Sequence, residues 1–170
     1  MESYAISPID LLLDVIKDHK PESIWIGSKL KAFRDVENTN RGDIGEEFIH
    51  RYLTQLGIPN QYRDSRTELS DIEIFGKRFE IKTASEDKGG HFQFNHIRHD
   101  MPNQYLLCLG IRPNEIMFNA WRKGEVAEGV AGHLVRMAKG QSVTFKLTKS
   151  PNDMLPIEQL ASWVDSHIRD

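Results

Sequence analysis

Apolar and charged residues alternate along two short runs near the middle of the chain, Asp71–Ile74 and Phe79–Lys82. Alternation with a period of two predicts a β-strand with one buried face and one polar face. The runs are separated by Phe75–Arg78, in which the pair Gly76-Lys77 suits the centre of a type II′ turn. We therefore predict a β-hairpin whose two loop residues are Gly76 and Lys77.

The predicted turn also sets which residues lie opposite each other. Counting outward places four apolar residues on one face and four charged residues on the other: Ile72, Ile74, Phe79 and Ile81 against Asp71, Glu73, Glu80 and Lys82. In this register Glu73 opposes Glu80, and like charges directly opposite each other destabilise a sheet. Three carboxylates and one ammonium suit a hard divalent cation with oxygen ligands. The alternative, which the hairpin alone leaves open, is a polar edge that simply faces water.

The N-terminal part predicts a helix and a basic segment. Ser7 as N-cap and Pro8 at the first helical position begin a helix that ends near His19. The segment 23–33 mixes strand-like and helical patterns. Three basic residues in this region form either an ordinary solvated face or a stripe facing phosphates: Lys29, Lys31 and Arg34.

A second helix is predicted from Asp43 to Gly57, after a loop over Asn38–Gly42. Glu46 lies on the flank of the apolar stripe of this helix and is therefore aimed toward the sheet. A role for Glu46 as the capping-box partner of Asp43 explains its position equally well.

The second half of the chain supplies further strands and helices. The predicted elements are strands at Tyr105–Ile111, Ile116–Trp121 and Val143–Leu147, a loop leading to a helix over Gly124–Ala138, and a closing helix over Ile157–Ile168. Strands and helices mix without strict alternation. This pattern predicts an α/β fold with a central mixed β-sheet flanked by helices.

Composition narrows the class of protein. A chain of 170 residues predicts one domain, and no apolar run approaches the ~20 residues that span a membrane. The N-terminus lacks the basic region of a signal peptide, so we expect a cytoplasmic protein. A single cysteine, Cys108, provides neither a disulfide framework nor a cysteine zinc site. The net charge of −3 does not exclude nucleic acid, because acidic residues at a metal site offset a basic groove.

Asp71, the Glu80-x-Lys82 motif on the next strand and Gly45-Glu46 on the preceding helix resemble the PD-(D/E)XK nuclease superfamily in their order. The restriction-endonuclease-like members look most similar. The resemblance implies a single nuclease domain over 1–170, with a restriction-endonuclease-like core at about 41–121, a helical extension over 1–40 and a C-terminal strand and helix over 142–170. Ser70 stands where the family motif often has proline.

The resemblance also implies a mechanism. Asp71 and Glu80 would hold one or two Mg²⁺ ions, for which Mn²⁺ can substitute, and the backbone carbonyl of Ile81 would complete the ligands. Lys82 would orient the attacking water or stabilise the pentavalent phosphorane. Glu46 would bind a metal-bound water or a second metal.

Other polar residues extend the predicted site. Glu73 is an alternative metal ligand if the register is shifted by two. Four residues after the hairpin suit contacts with base edges and phosphates: Gln93, Asn95, His96 and Arg98. The alternative for this segment is a surface helix whose aromatic residues pack inward. Histidines at 91, 96 and 99 match no common zinc ligand spacing.

We therefore expect a Mg²⁺-dependent endonuclease of double-stranded DNA, most similar to a type II restriction enzyme of a restriction-modification system. It would act as a homodimer or with a partner nuclease subunit, because both DNA strands must be cut, and it would have no membrane partner. A structure-selective DNA repair or junction nuclease is the alternative within the same fold. A non-catalytic DNA- or protein-binding module on that fold is the alternative from another functional class.

Overall fold

The computed structural model describes residues 7–19, 24–62, 70–98, 104–127, 131–132, 134–136 and 144–169. The helices are α1 Pro8–His19, α2 Lys31–Asp35, α3 Asn38–Gln55, α4 Lys123–Ala127 and α5 Leu160–His167. The strands are β1 Asn60–Tyr62, β2 Ile72–Ile74, β3 Lys77–Ser85, β4 Phe92–Ile97, β5 Tyr105–Ile111, β6 Ile116–Arg122, β7 Leu134–Arg136, β8 Phe145–Lys149 and β9 Leu155–Pro156. Among the helices described, none combines the length and apolar character needed to span a bilayer.

Six strands form the central sheet in the order β1-β2-β3-β5-β6-β9. β3 and β5 are parallel, whereas the other neighbouring pairs are antiparallel. The sheet is therefore mixed, and helices flank it, which confirms the predicted α/β class. A second sheet of three strands, in the order β4-β8-β7, was not predicted.

Each face of the central sheet has its own apolar core. One face packs against α3 and α5 and buries the four apolar residues of the hairpin, as predicted: Ile72, Ile74, Phe79 and Ile81. The other face packs against the second sheet through Phe92 and Phe94 of β4 and through Cys108, which is buried in β5. The charged face of β3 therefore lies between two sheets rather than toward open solvent.

The hairpin turn lies one residue earlier than predicted. Phe75 and Gly76 occupy the loop with φ of 48° and 76°, as a type I′ turn requires. Ile72 opposes Phe79, and Glu73 opposes Arg78 with Nε and Oε1 3.6 Å apart. The predicted opposition of Glu73 and Glu80 is therefore wrong. The faces are nevertheless correct, because the partners move by two positions and side chains alternate with a period of two.

Helix α3 begins five residues earlier than predicted. It starts at Asn38, so the predicted loop over Asn38–Gly42 and the predicted cap at Asp43 are wrong. A contact with the preceding segment accompanies the extra turn: the Arg41 guanidinium donates hydrogen bonds to the Val36 carbonyl (3.0 Å) and the Arg34 carbonyl (2.7 Å). Asp43 and Glu46 consequently lie inside the helix, where no capping box forms.

The ends of two helices agree with their sequence signals. Gly57 follows α3 with φ of 72°, and the Ile58 amide donates to the Leu53 carbonyl at 2.9 Å, as in a Schellman motif. At the start of α1, Ser7 Oγ accepts a hydrogen bond from the Asp10 amide at 3.2 Å, which confirms the predicted N-cap.

Three further segments differ from their predictions. The segment 92–97 is a strand with Phe92, Phe94 and Ile97 buried, and not a surface helix. Within the described part of Gly124–Ala138, residues 124–127 belong to α4 and Leu134–Arg136 form strand β7, where a helix was predicted. The strand predicted at Val143–Leu147 is shifted to Phe145–Lys149, and Val143 lies outside the described residues. The closing helix is confirmed as α5, preceded by a 3₁₀ turn at Ile157–Gln159.

Gly45 allows α3 to approach β3 closely. A Cβ at this position would lie 1.9 Å from Thr83 Oγ1, which is buried on β3. No real side chain tolerates this distance, so the helix and the strand are in contact through a residue without a side chain. Glu46, the next residue, is thereby held beside β3.

We predict that Gly45→Ala destabilises the protein by about 1–3 kcal/mol, because the added methyl group overpacks a fixed contact. Gly42→Ala is the matched control on the same helix: a Cβ there meets nothing within 4 Å. It should stabilise the protein by about 0.5–1 kcal/mol through its helix propensity. Urea denaturation measures both changes. Equal effects of the two substitutions would contradict the close contact, and Thr83→Ala should partly rescue Gly45→Ala.

Candidate active site

Asp71 lies where the central sheet opens. Its amide donates a hydrogen bond to the Phe79 carbonyl at 3.0 Å, and this is the last backbone bond of the β2–β3 ladder. At the next position of β3 a side chain replaces the backbone acceptor: Asp71 Oδ2 accepts a hydrogen bond from the Ile81 amide at 2.7 Å. The carboxylate is thus fixed against β3 by the backbone. Beyond this point a cleft runs along the side of β3 that faces away from β5.

Glu80 is a buried carboxylate in the middle of β3. Continuing the observed register by one step places it opposite Asp71. Only 5% of Glu80 is exposed, since the second sheet covers this face. Within the described part of the chain, Oε1 is buried and makes no hydrogen bond. The Lys123 Nζ atom lies 3.5 Å away, an ion pair at the outer limit of hydrogen-bond length.

Lys123 was missed by the sequence analysis. It is the first residue of α4, its side chain is only 12% exposed, and its ammonium donates to the Arg98 carbonyl at 2.8 Å. Burial lowers the pKa of Lys123, and the negative charge of Glu80 opposes this shift. The sequence around Lys123 contains no pattern that indicates a site residue. The pairing of β5 with β6, which ends at Arg122, brings it to the site.

The charges of Glu80, Lys82 and Lys123 lie near enough to act on the pKa of Asp71. Burial raises the pKa of Asp71, and the nearby charge of Glu80 raises it further. The hydrogen bond from the Ile81 amide and the charges of Lys82 and Lys123 act in the opposite direction. We call Asp71, Glu80, Lys82 and Lys123 the charged cluster.

Lys82 of the charged cluster lines a cleft of about 660 Å³, whereas Asp71, Glu80 and Lys123 are not among its lining residues. Residues from α2, α3, β3 and β4 line it, including Arg34, Arg41, Glu46, Lys82, Ser85, Gln93, Asn95 and His96. Glu46 and Lys82 thus line the same cleft, which agrees with the prediction that Glu46 points toward the sheet. Because α3 begins before Asp43, a capping box no longer competes as the explanation for Glu46.

A β-bulge directs β4 residues into this cleft. Phe94 opposes Leu147 and Ile97 opposes Phe145, so Asn95 and His96 share a single opposing residue on β8. His96 adopts φ of 58°, which is uncommon for a residue other than glycine. Bulges re-aim side chains near functional sites, and here both polar side chains are exposed and line the cleft.

Two of the predicted site residues lie differently. Glu73 faces Arg78 and is not part of the cleft lining. Arg98 is exposed just after β4 and contributes its carbonyl to Lys123.

The donor set is compatible with a hard divalent cation. Among the described residues no three His, Cys, Asp or Glu side chains come together as a metal-binding group. Mg²⁺ does not need three, because it retains waters and binds through one or two carboxylates together with substrate phosphates. Asp71, Glu80 and the Ile81 carbonyl would provide such a set. Glu80 Oε1, which has the Lys123 ion pair but no hydrogen bond among the described residues, keeps acceptor capacity that a cation could use.

No protein-family model matches the chain, and no curated protein matches it either. The assignment of the site therefore depends on its geometry and chemistry.

We predict that Asp71→Asn, measured in EDTA, is more stable than the wild type at pH 7, and that this difference grows between pH 4 and 7. Burial holds the folded-state pKa of Asp71 above its ordinary value of 3.8, so the wild type loses stability as the pH rises and the carboxyl ionises. Asn keeps an acceptor for the Ile81 amide but does not ionise. Urea denaturation across this pH range provides the measurement.

Asp153→Asn is the control of opposite sign. The Ser150 amide lowers the pKa of Asp153, so this variant should be less stable than the wild type at pH 7. An Asp71→Asn variant that also loses stability at pH 7 would contradict the burial account.

Proposed function

We propose that this chain is a Mg²⁺-dependent endonuclease that hydrolyses phosphodiester bonds of double-stranded DNA. The proposal includes a restriction-endonuclease-like core of the PD-(D/E)XK type and a restriction role. The observation that carries it is the placement of Asp71, directly before β2, opposite Glu80 of β3, with Lys82 two residues further along β3 at the cleft. Two carboxylates near a lysine are the charges that metal-assisted phosphate chemistry uses.

The residues have distinct roles in this proposal. Asp71, Glu80 and the Ile81 carbonyl would hold the cation, and a bound Mg²⁺ supplies charge neutralisation and makes a water more acidic. Lys82 places a compact positive charge in the cleft, where it orients the attacking water and stabilises charge that develops on the phosphate. Glu46 faces the same cleft and orients the water through its carboxylate.

The residues that line the cleft suit a nucleic acid, because they can contact both its phosphates and its base edges. Arg34 and Arg41 add two guanidinium groups, and Arg34 donates to Ser85 Oγ at 2.9 Å beside Lys82. Cationic groups position a nucleic-acid backbone, whereas amide and imidazole side chains contact bases. The bulge residues Asn95 and His96 stand on the opposite wall, which supports base contacts on that side.

A restriction role requires two sites. Each chain contributes one charged cluster, and two antiparallel DNA strands must be cut. A symmetric homodimer or a partner nuclease subunit is therefore part of the proposal.

Two alternatives share the same fold. A structure-selective repair or junction nuclease would use the same residues on branched DNA. A non-catalytic binding module is less consistent with the site, because burying Glu80 without a hydrogen bond on Oε1 is costly and a binding surface gains nothing from it.

The order of elements differs from that of the nuclease family at one place. The family core has a helix after the hairpin, whereas the described residues between β3 and β5 form strand β4 and no helix.

We predict that Lys82→Ala reduces Mg²⁺-dependent cleavage of supercoiled plasmid at least about 100-fold, because it removes a preorganised charge at the reacting phosphate. Lys77→Ala is the matched control, a lysine of the same strand beside the turn, and should retain activity. Circular dichroism checks that both variants fold. Full activity of Lys82→Ala would exclude the assigned role.

The same assay separates the alternatives. Discrete fragments in the presence of Mg²⁺ support a restriction enzyme, and cleavage of branched substrates alone supports the repair nuclease. DNA binding without cleavage of any substrate would favour the binding module.

We predict that the double variant Asn95→Ala, His96→Ala binds duplex DNA about 5- to 100-fold more weakly, the range expected when one or two base contacts are lost. Fluorescence anisotropy in Ca²⁺ instead of Mg²⁺ measures binding without turnover. Ser166→Ala, exposed on α5 at the other face of the central sheet, is the control and should bind as the wild type does. Equal affinities of the double variant and the control would show that the bulge does not contact DNA.

A further inference from the structure

Lys123 is the member of the charged cluster that the proposed function leaves without a role. It comes from α4, far along the chain from β3, yet its Nζ atom lies 3.5 Å from Glu80 Oε1. Both side chains are nearly buried, at 12% and 7% exposure. The Arg98 carbonyl accepts a hydrogen bond from the same ammonium at 2.8 Å. A backbone acceptor and a buried carboxylate therefore fix this ammonium in place.

The position of the ammonium has an electrostatic consequence. Glu80 Oε1 is also an atom that would ligate a divalent cation in the proposed function. A cation on Glu80 would then have the Lys123 charge as a close neighbour of the same sign. Repulsion between close charges is strong where water is excluded, because the effective dielectric constant is low. The same lysine thus stabilises Glu80 without a metal ion and opposes the ion when it binds.

We propose that Lys123 is a positioning residue that holds the Glu80 carboxylate before a divalent cation binds and weakens the binding of that cation. The inference rests on the proposed function, because it takes Glu80 as a metal ligand. It goes further in assigning Lys123 to the control of metal affinity. A purely structural Lys123 would stabilise the fold but would not weaken metal binding.

Direct Mn²⁺ binding distinguishes the two roles. The amount of unbound Mn²⁺ is followed by electron paramagnetic resonance during titration of the full chain without DNA. Lys123→Gln removes the charge but keeps a donor for the Arg98 carbonyl, and it should bind Mn²⁺ about tenfold or more tightly than the wild type. Lys123→Met is a second neutral variant and should behave likewise. Lys123→Arg retains the charge and should bind with wild-type affinity.

Lys149→Gln is the matched control for charge removal. Lys149 lies over the Trp121 ring, with Nζ 5.1 Å from its centroid, and is half-buried in the same region. Its loss should leave Mn²⁺ affinity within about threefold of the wild type, since repulsion falls with distance.

Thermal unfolding gives a second readout. In EDTA, Lys123→Gln should melt below the wild type, because Glu80 loses its buried counter-ion. Addition of Mn²⁺ should raise its melting temperature more than that of the wild type, since ligand stabilisation grows with affinity.

The outcomes separate this inference from the proposed function. If the wild type binds Mn²⁺ and folded Lys123→Gln binds it equally or more weakly, the role of Lys123 is overturned and the metal site remains. If neither protein binds Mn²⁺ at millimolar concentration, the proposed function is overturned together with this inference. Tighter binding by both neutral variants, but not by Lys123→Arg or Lys149→Gln, supports it.

Discussion

The burial of the Glu80 carboxylate between two sheets is the constraint on which the rest of the site depends. A carboxylate with 5% exposure loses most of its hydration, so the protein must provide compensating charge or hydrogen bonds. Lys123 provides part of this compensation across 3.5 Å, whereas Oε1 has no hydrogen bond within the described structure. The second sheet is what makes the burial possible, because it covers the face of β3 on which Glu80 lies.

The elements around β3 place a polar cleft next to this buried charge. β2 stops pairing at Phe79, and the Asp71 side chain continues the ladder by binding the Ile81 amide. The side of β3 beyond this bond borders a cleft. Gly45 brings α3 against β3, and the bulge in β4 brings polar side chains to the facing wall. A polar cleft lined by Glu46 and Lys82 therefore follows the edge of β3 beyond the Asp71 hydrogen bond.

Periodicity explains why the hairpin faces could be predicted although the register could not. Alternation with a period of two survives a shift of the turn by one residue, so the buried and charged faces were assigned correctly. The turn was misplaced because Phe75 adopts a positive φ, which sequence reasoning reserves for glycine and a few polar residues. With the observed register, the expected clash of Glu73 and Glu80 is replaced by contact of Glu73 with Arg78.

Contacts between separate elements account for the other differences. The start of α3 depends on Arg41 reaching the carbonyls at the end of α2, and no local cap signals it. Lys123 reaches Glu80 only because β5 and β6 pair along their whole length. The second sheet joins β4 to strands some 40–50 residues away, and neither a hairpin nor a helical period reveals such pairing.

Anomalous scattering from a crystal soaked in Mn²⁺ would locate the cation itself. We expect one or two peaks beside Asp71, Glu80 and the Ile81 carbonyl, with the Lys123 ammonium moved away from Glu80 Oε1. Absence of a peak at these residues in crystals that are saturated with Mn²⁺, with Lys123 still paired to Glu80, would contradict the proposed metal site.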